Sequence, residues 1–159
     1  MSTFEPDNEL AAQLARQADS LVSDAMEQGR NLDYSDASIE ALEGFVDRMW
    51  VVGQGMFEGE GLARFQWNLA VAAAAYLGET LRRNHGGAWG WSAKPDGSRA
   101  VGFQDARGLV VAHPVAKVRK RLENGPVDDL RSFYEFTAHW ERVQTAKAAR
   151  AEEIAQTDS

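Results

Sequence analysis

The sequence predicts an α+β domain in which a three-stranded antiparallel β-meander, a single layer of sheet, is covered by about five α-helices. One observation behind this prediction is that apolar residues recur every three or four positions over most of residues 7–84, which is helical spacing. Another is that, from residue 87, short aromatic and β-branched segments alternate with turn formers. No internal repeat or linker interrupts the chain, so residues 1–159 are predicted to form one domain with frayed ends at 1–6 and 147–159.

Three helices are predicted before the sheet. The first covers about 7–29 and ends on a glycine, which tolerates the left-handed conformation that closes helices. The second ends near residues 50–52, and the glycine-rich stretch 53–61 then predicts a flexible connection. The third, about 62–84, combines an apolar stripe with a run of alanines, so we expect it to be the central helix.

The three strands are predicted from short segments, and two helices follow them. The strand segments are AWGWS, RAVGFQ and GLVVAH, at residues 88–92, 99–104 and 108–113. Pro-Asp-Gly between the first two is a turn signal, and a short charged gap fits a second tight connection. A short helix over 115–123 and a last helix from Val127 to about residue 146 complete the pattern.

The composition limits the classes of protein to which the chain can belong. Hydrophobic residues make up 44% and charged residues 26%, which is typical of a globular domain. Cysteine is absent, so disulfides, thiolate metal sites and a cysteine nucleophile are excluded, as suits a reducing cytoplasm. No stretch approaches the roughly 20 apolar residues of a membrane span. The N-terminus is acidic and lacks a signal peptide pattern, so a cytoplasmic location is predicted.

The net charge of −7 is unevenly distributed along the chain. Residues 1–60 hold 13 acidic and 3 basic side chains, a balance of −10, whereas residues 61–159 have a balance of +3. Binding to a phosphate backbone would act against the overall charge, so nucleic acid is not a favoured partner.

Glu79 is the residue that decides between an enzyme and a structural corner. As a functional group it would be a general base or a ligand-binding carboxylate beside the Gly86-Gly87 turn. As a structural group it would pair with Arg82 and Arg83, three and four residues later on the helix, or reach loop amides after Gly87. A general base needs an acid partner or an orienting group, and the sequence nominates none, so the structural role is favoured.

Gly78 points to a close approach beside this carboxylate. A glycine inside an exposed helix costs about 1 kcal/mol relative to alanine, so its presence indicates a neighbour that a methyl group would block. Trp89 and Trp91 are the two side chains expected to lie over it.

No catalytic residue, metal site or cofactor is predicted. The three histidines are too scattered for a ligand pair, and no GxSxG nucleophile motif occurs. The stretch 53–61 lacks the Lys-Ser/Thr ending of a phosphate-binding loop. A non-enzymatic protein is therefore favoured.

The basic and aromatic residues supply two further hypotheses. The basic cluster consists of Lys117, Arg119, Lys120 and Arg121, with Arg131 nearby. It forms either an anion-binding patch or a solvated face that complements the acidic N-terminal helices, and the solvated face is favoured. Five tryptophans are a high number; Trp67, Trp89 and Trp140 fit core positions. Trp50 and Trp91 are predicted to be partly exposed beside glycines and to serve as interface anchors.

Several motifs together resemble an uncharacterised family of small bacterial proteins, a domain of unknown function. They are Leu32-Asp33-Tyr34-Ser35 with Ser38-Ile39-Glu40, Tyr76-Leu77-Gly78-Glu79 with Gly86-Gly87 and Trp89, and Pro114 with Lys117-Val118, Lys120-Arg121-Leu122-Glu123-Asn124-Gly125-Pro126 and Phe133-Tyr134. The resemblance covers about 32–134 and implies a shared fold without a known activity. The arrangement is also similar to that of some immunity-type binding proteins.

The predicted function is that of a non-enzymatic protein-binding domain, either an immunity-type or adaptor protein or a homodimer. The alternative is a small-molecule or anion-binding protein, or an unrecognised enzyme, with a pocket between the third helix, the sheet and residues 117–131. The residues predicted to bind a partner or ligand are Glu79, Arg82, Arg83, Trp89, Trp91, Lys120 and Arg131.

Overall fold

The computed structural model describes residues 4–157, with the side chains of residues 4–139 and 148–156. In chain order the strands are β1 (Phe4–Pro6), β2 (Ala88–Ala93), β3 (Arg99–Gln104) and β4 (Val111–Ala112). The helices are α1 (Asn8–Glu27), α2 (Ser38–Met56), α3 (Gly59–His85), α4 (Pro114–Asn124), α5 (Leu130–Ala138) and α6 (Trp140–Thr157), with a 3₁₀ helix at Gly125–Asp128. The α+β class is confirmed, but these residues form four strands rather than three, and six α-helices rather than about five.

Helix α1 begins at an acidic cap. The carboxylate of Asp7 accepts hydrogen bonds from the backbone N–H groups of Glu9 (2.9 Å) and Leu10 (3.1 Å), which would otherwise be unpaired at a helix start. One buried stripe with three- and four-residue spacing then faces the core: Leu10, Leu14, Ala18, Leu21 and Ala25. The helix ends at Glu27, and Gly29 provides the predicted left-handed turn with a φ of +76°.

Helix α3 is the central element, as its alanine-rich pattern predicts. Every side chain from Ala73 to Leu81 is buried, and the helix packs against α1, α2, α4 and α5. Because alanine carries only a β-carbon, neighbouring helices approach α3 closely on several sides. Although α3 is long, neither it nor any other helix in residues 4–157 is both long and apolar enough to cross a lipid bilayer.

The sheet has the strand order β1-β2-β3-β4 and is antiparallel throughout. Strand β1 pairs with the free edge of β2, with Phe4 opposite Ser92. The prediction that residues 4–6 fray is therefore wrong, and residues 1–3 lie outside the described part of the chain. A β-carbon at Gly90 would collide with the backbone of Glu5, so that glycine makes room for β1. Proline is tolerated on such an edge strand, but three residues are too few to show the alternation that reveals a strand.

The stretch 53–61 is mostly helical, which corrects the predicted flexible connection. Helix α2 continues to Met56 and α3 starts at Gly59, so only two residues join them. Gly53 lies against the ring of Phe65, and the ring of Phe57 stacks on the same ring at a centroid distance of 5.2 Å. The glycine thus serves close packing between the two helices rather than flexibility.

The predicted last helix is divided into two. His139, with a φ of −128° and a ψ of 40°, leaves the helical conformation between α5 and α6. Helix α6 then continues to Thr157, so the predicted fraying from residue 147 is replaced by helix whose side chains at 148–156 are exposed. In the sequence the apolar stripe continues at helical spacing over residues 130–143, so periodicity alone did not reveal the break at His139.

Candidate functional site

Glu79 is buried and holds three neighbours. Its side chain is 1% exposed, and its two carboxylate oxygens accept hydrogen bonds from Nε and Nη2 of Arg82, each at 2.9 Å. Arg83 Nε lies 3.6 Å from the same carboxylate, so both predicted ion pairs are present. The hydrogen bond to Glu79 raises the pKa of Arg82, against the opposing effect of partial burial.

The third neighbour of Glu79 is Trp89, whose indole N–H donates to the carboxylate at 3.3 Å. The expected loop amides after Gly87 are thus replaced by a side chain from β2. The ring of Trp89 also covers Gly78, where an added β-carbon would overlap it. This confirms the close approach predicted for Gly78, and the residue responsible is Trp89 rather than Trp91.

Both tryptophans of β2 serve the fold rather than an exposed binding surface. Trp89 is 1% exposed, so it occupies the core position predicted for it, while its role in binding a ligand or partner stays a prediction. Trp91 is half-buried, and its indole N–H donates to Asp7 at 2.9 Å while the Arg99 guanidinium lies over its ring. Hydrogen bonds from the Leu10 amide and then from Trp91 lower the pKa of Asp7. Trp91 therefore helps to fix the start of α1.

The loop before α2 is locked onto α3 through Tyr34. Its ring lies between the ring of Tyr76, at a centroid distance of 4.8 Å, and the guanidinium of Arg83, at 3.6 Å. Its hydroxyl donates to Asp19 at 2.6 Å, and burial, followed by this hydrogen bond, raises its pKa. The backbone at Tyr34 has a φ of +61°, which non-glycine residues rarely adopt. Two motifs of the sequence, Leu32-Asp33-Tyr34-Ser35 and Tyr76-Leu77-Gly78-Glu79, thus meet at α3.

A chain of hydrogen bonds runs through the buried hydroxyl of Tyr76. The Tyr34 N–H donates to this hydroxyl at 2.9 Å, and the hydroxyl lies 2.6 Å from Ser38 Oγ. Because Ser38 donates its single proton to the Ser35 carbonyl at 2.6 Å, Tyr76 is the donor to Ser38. The hydroxyl protons of Tyr76 and Ser38 are therefore both donated within this series of hydrogen bonds and not to a ligand.

Asp36, His85 and Tyr134 form a cluster that the scattered histidine positions did not predict. The carboxylate of Asp36 accepts from Nε2 of His85 at 2.8 Å and makes a short hydrogen bond with the hydroxyl of Tyr134. His139 packs edge-on against His85 at a centroid distance of 5.0 Å. Partial burial acts to raise the pKa of Asp36, but the hydrogen bonds from Tyr134 and His85 outweigh it and lower that pKa. The cluster joins the loop before α2 to the end of α3 and the middle of α5.

Asp36 holds the imidazole of His85 in one orientation, but the charged side chains beside it make structural contacts of their own. A hollow of about 180 Å³ lies beside His85 and is also lined by Asp105 and Arg107. The carboxylate of Asp105 accepts from the Leu109 and Val110 amides and from Arg107 Nε, so it braces the turn between β3 and β4. Among the described residues, no group of three or more His, Asp or Glu side chains has the geometry to hold a metal ion.

The basic cluster is mostly paired with acids. Arg121, which is 3% exposed, donates to Glu43 at 3.1 Å and to Asp47 at 2.9 Å, both on α2. Glu43 also accepts from the Leu130 amide at 2.8 Å, so it joins α2, α4 and the start of α5. The acidic α2 is thus the partner of this cluster, in line with the favoured hypothesis of charge complementarity.

The remaining cations of the predicted anion site lie apart from Glu79. Arg131 pairs with Glu40 of α2 at 3.3 Å, and both side chains are exposed. Lys117 pairs with Asp128 at 3.4 Å, and Lys120 is exposed. Within residues 4–139, no described contact or hollow joins Glu79 to Lys120 or Arg131.

A groove with both apolar and polar lining residues lies between helices α1, α2 and α3. Two hollows of about 380 and 360 Å³ share Leu21, Asp24, Asn68 and Ala72, so they form one depression between α1 and α3. We call it the α1–α3 groove. Its apolar lining residues, two of which belong to α2, are Leu21, Phe45, Met49, Phe65, Trp67, Leu69, Val71 and Ala72. Its polar lining residues are Gln17, Ser20, Asp24, Glu27, Gln28 and Asn68.

Trp67 lies between the α1–α3 groove and a second hollow. It lines the groove on one side, and on the other side it lines a further hollow of about 210 Å³ that includes Trp50 and Leu122. The side chain of Trp67 is 50% exposed, so the prediction that it belongs to the core is wrong. Its position on α3 has the helical phase of the buried residues Ala70 and Ala74, so periodicity in the sequence could not reveal the exposure. The predicted partial exposure of Trp50 is confirmed, and the side chain of Trp140 lies outside the described residues.

The edge of the α1–α3 groove is acidic. Asp24 and Glu27 are exposed on α1 and line the groove. Neither carboxylate forms an ion pair with any described residue. By contrast, acids on the neighbouring helix α2 pair with Arg121 and Arg131. Further apolar side chains are exposed at the nearby ends of α1 and α2: Met26, Val51, Val52, Met56 and Phe57.

Comparison of the chain with protein-family models, with curated proteins and with solved structures finds no match. The functional proposal therefore depends on the contacts of this chain alone.

Proposed function

We propose that this chain is a non-enzymatic protein-binding domain and that its binding surface is the α1–α3 groove together with Trp67. The observation that carries the proposal is the exposure of Trp67 between two hollows, each of which is lined by both apolar and polar side chains. Half-exposed tryptophans beside such hollows are typical anchors of protein interfaces, because they bury a large area at a small cost in conformational entropy.

The shape of the surface supports a protein rather than a small molecule as the partner. Small-molecule sites are concave and enclose most of the ligand. Here three hollows adjoin through shared lining residues, and the exposed Phe57 continues the surface because its ring stacks on the lining residue Phe65. Contiguous apolar area of this kind is typical of interfaces between proteins.

The alternative with Glu79, Arg82 and Arg131 in one ligand pocket has no contact to support it. Glu79 uses both carboxylate oxygens for Arg82 and the indole of Trp89, and Arg131 pairs with α2. The immunity-type or adaptor role, the cytoplasmic location and the resemblance to an uncharacterised bacterial family stay predictions.

Site-specific cross-linking tests the proposal. A photo-reactive phenylalanine derivative would replace Trp67 in the native host and, as the control, Val127, an apolar residue that is 91% exposed on the 3₁₀ helix. We expect a discrete adduct with one protein from position 67 and none from position 127. Binding of that purified protein should weaken by about tenfold or more in Trp67→Ala and stay unchanged in Val127→Ala.

Two results would reject this function. One is the absence of any adduct at position 67, and the other is an equal set of adducts at both positions. An adduct between two copies of the chain, formed by the purified protein, would assign the surface to a homodimer.

A further inference from the structure

The dimensions of the α1–α3 groove match a helix. Its lining residues on α1 extend from Gln17 to Glu27, with Gln28 directly after the helix, and those on α3 extend from Phe65 to Ala72. Eleven residues of α1 correspond to about 16 Å, or three helical turns. Both walls are helices, so side chains at three- and four-residue spacing on a partner helix would fit between their ridges.

The composition of the groove indicates which faces such a helix needs. The apolar lining suits a partner face with apolar residues at positions i, i+3, i+4 and i+7. Met49 lies at this lining, and methionine adapts its shape to different apolar side chains. Asp24 and Glu27 border the lining without an ion pair to any residue described, so a flanking row of Lys or Arg on the partner would complement them.

The same charges disfavour a second copy of this chain as the occupant. A two-fold symmetric contact through the groove would bring the Asp24 and Glu27 pairs of both copies to one interface, where they repel. The distal part of α6 also lacks the required charge, since residues 148–156 contain one arginine and two glutamates.

On the basis of the proposed function, we propose that the α1–α3 groove binds an amphipathic helix of a protein partner whose polar face carries lysine or arginine. The apolar lining residues and Trp67 provide most of the affinity, and the two carboxylates select the charge of the partner.

A displayed library of 18-residue helical segments, with an apolar stripe and with Lys, Glu or Gln varied on the polar face, tests this inference on the full chain. We expect selection to enrich basic segments. Their affinity, measured by fluorescence anisotropy, should fall about fivefold or more in Asp24→Asn/Glu27→Gln and should decrease between 50 and 300 mM NaCl. In the charge-matched control Glu9→Gln/Glu60→Gln, two exposed acids outside the groove lining are neutralised, and the affinity should stay within about twofold.

Enrichment of acidic or neutral segments, enrichment of none, or equal losses in the two double variants would overturn the inference. Circular dichroism of each variant establishes that it is folded. The mapped cross-link of residue 67 separates this inference from the proposed function. An adduct to a segment that is not a basic helix rejects the helix and leaves protein binding in place, whereas no adduct rejects protein binding itself.

Discussion

The six-membered ring of Trp89 occupies the space that a β-carbon at residue 78 would take. The next residue along α3, Glu79, accepts a hydrogen bond from the indole of the same tryptophan. Packing and hydrogen bonding therefore fix β2 to α3 at one place, and the glycine and the carboxylate are parts of a single joint between helix and sheet.

Gly78→Ala should lower the free energy of unfolding by about 1–3 kcal/mol, because the added methyl group must displace Trp89 from a filled core. Urea unfolding measures the change. The matched control is Gly55→Ala in α2, where no atom lies within 4 Å of the added β-carbon. There the better helix propensity of alanine should leave stability unchanged or raise it by up to about 1 kcal/mol. Equal effects of the two substitutions on stability would contradict the inference that Gly78 makes room for Trp89.

Glu79→Gln should reduce stability without affecting partner binding. The amide retains an acceptor for the Trp89 indole but loses the charge that pairs with Arg82 and Arg83. Since Arg82 is 44% exposed and gains water in compensation, we expect a loss of about 1–2 kcal/mol rather than the full cost of breaking a buried pair. Urea unfolding and the affinity of the cross-linked partner check both parts. A turnover abolished by this substitution would instead assign Glu79 to an active site.

Tyr76→Phe should destabilise the fold by about 1–3 kcal/mol, because the buried Tyr34 amide loses its acceptor and Ser38 loses its donor. A double-mutant cycle with Ser38→Ala measures the coupling through urea unfolding. We expect the double variant to lose less stability than the sum of the single variants, since each substitution breaks the same hydrogen bond. Strict additivity would show that the two hydroxyls act independently.

Asp36 should make the stability depend on pH in the acid range. Its pKa is lowered in the folded state, so its contribution is fully present above the ordinary value near 3.9 and is lost as the pH falls through the folded-state pKa. The difference in unfolding free energy between the unmodified chain and Asp36→Asn should therefore shrink as the pH falls from about 5 to 2.

Thermal and urea unfolding over that pH range provide the measurement for Asp36. Asp24→Asn is the matched control, because no described donor forms a hydrogen bond with that carboxylate and both aspartates are exposed. A pH-independent difference for Asp36→Asn would show that its bonds to His85 and Tyr134 have no net effect on stability.

Local patterns predicted the contacts between residues close in sequence. The pairs of Glu79 with Arg82 and Arg83 follow from helical spacing, and the position of α3 follows from its alanines. Gly78 indicated a close neighbour because glycine is unfavourable inside a helix. Each of these signals lies within one helix, so a single sequence is enough to detect it.

Contacts between distant segments were not predictable in the same way. Asp36 meets His85 and Tyr134 only after α3, α5 and the loop before α2 have packed together, and nothing in the local sequence relates these positions. Trp67 was assigned to the core because large aromatic residues are usually buried, whereas the arrangement of α1 and α4 around α3 leaves it half exposed. The functional surface proposed here depends on that packing.

Arg121 and the Leu130 amide share one acceptor, the carboxylate of Glu43, across a separation of more than 70 residues. A single backbone proton at Leu130 therefore reports on whether α2, α4 and α5 are assembled. Its hydrogen–deuterium exchange rate gives an internal gauge of opening in this half of the molecule, readable in any variant without an added label.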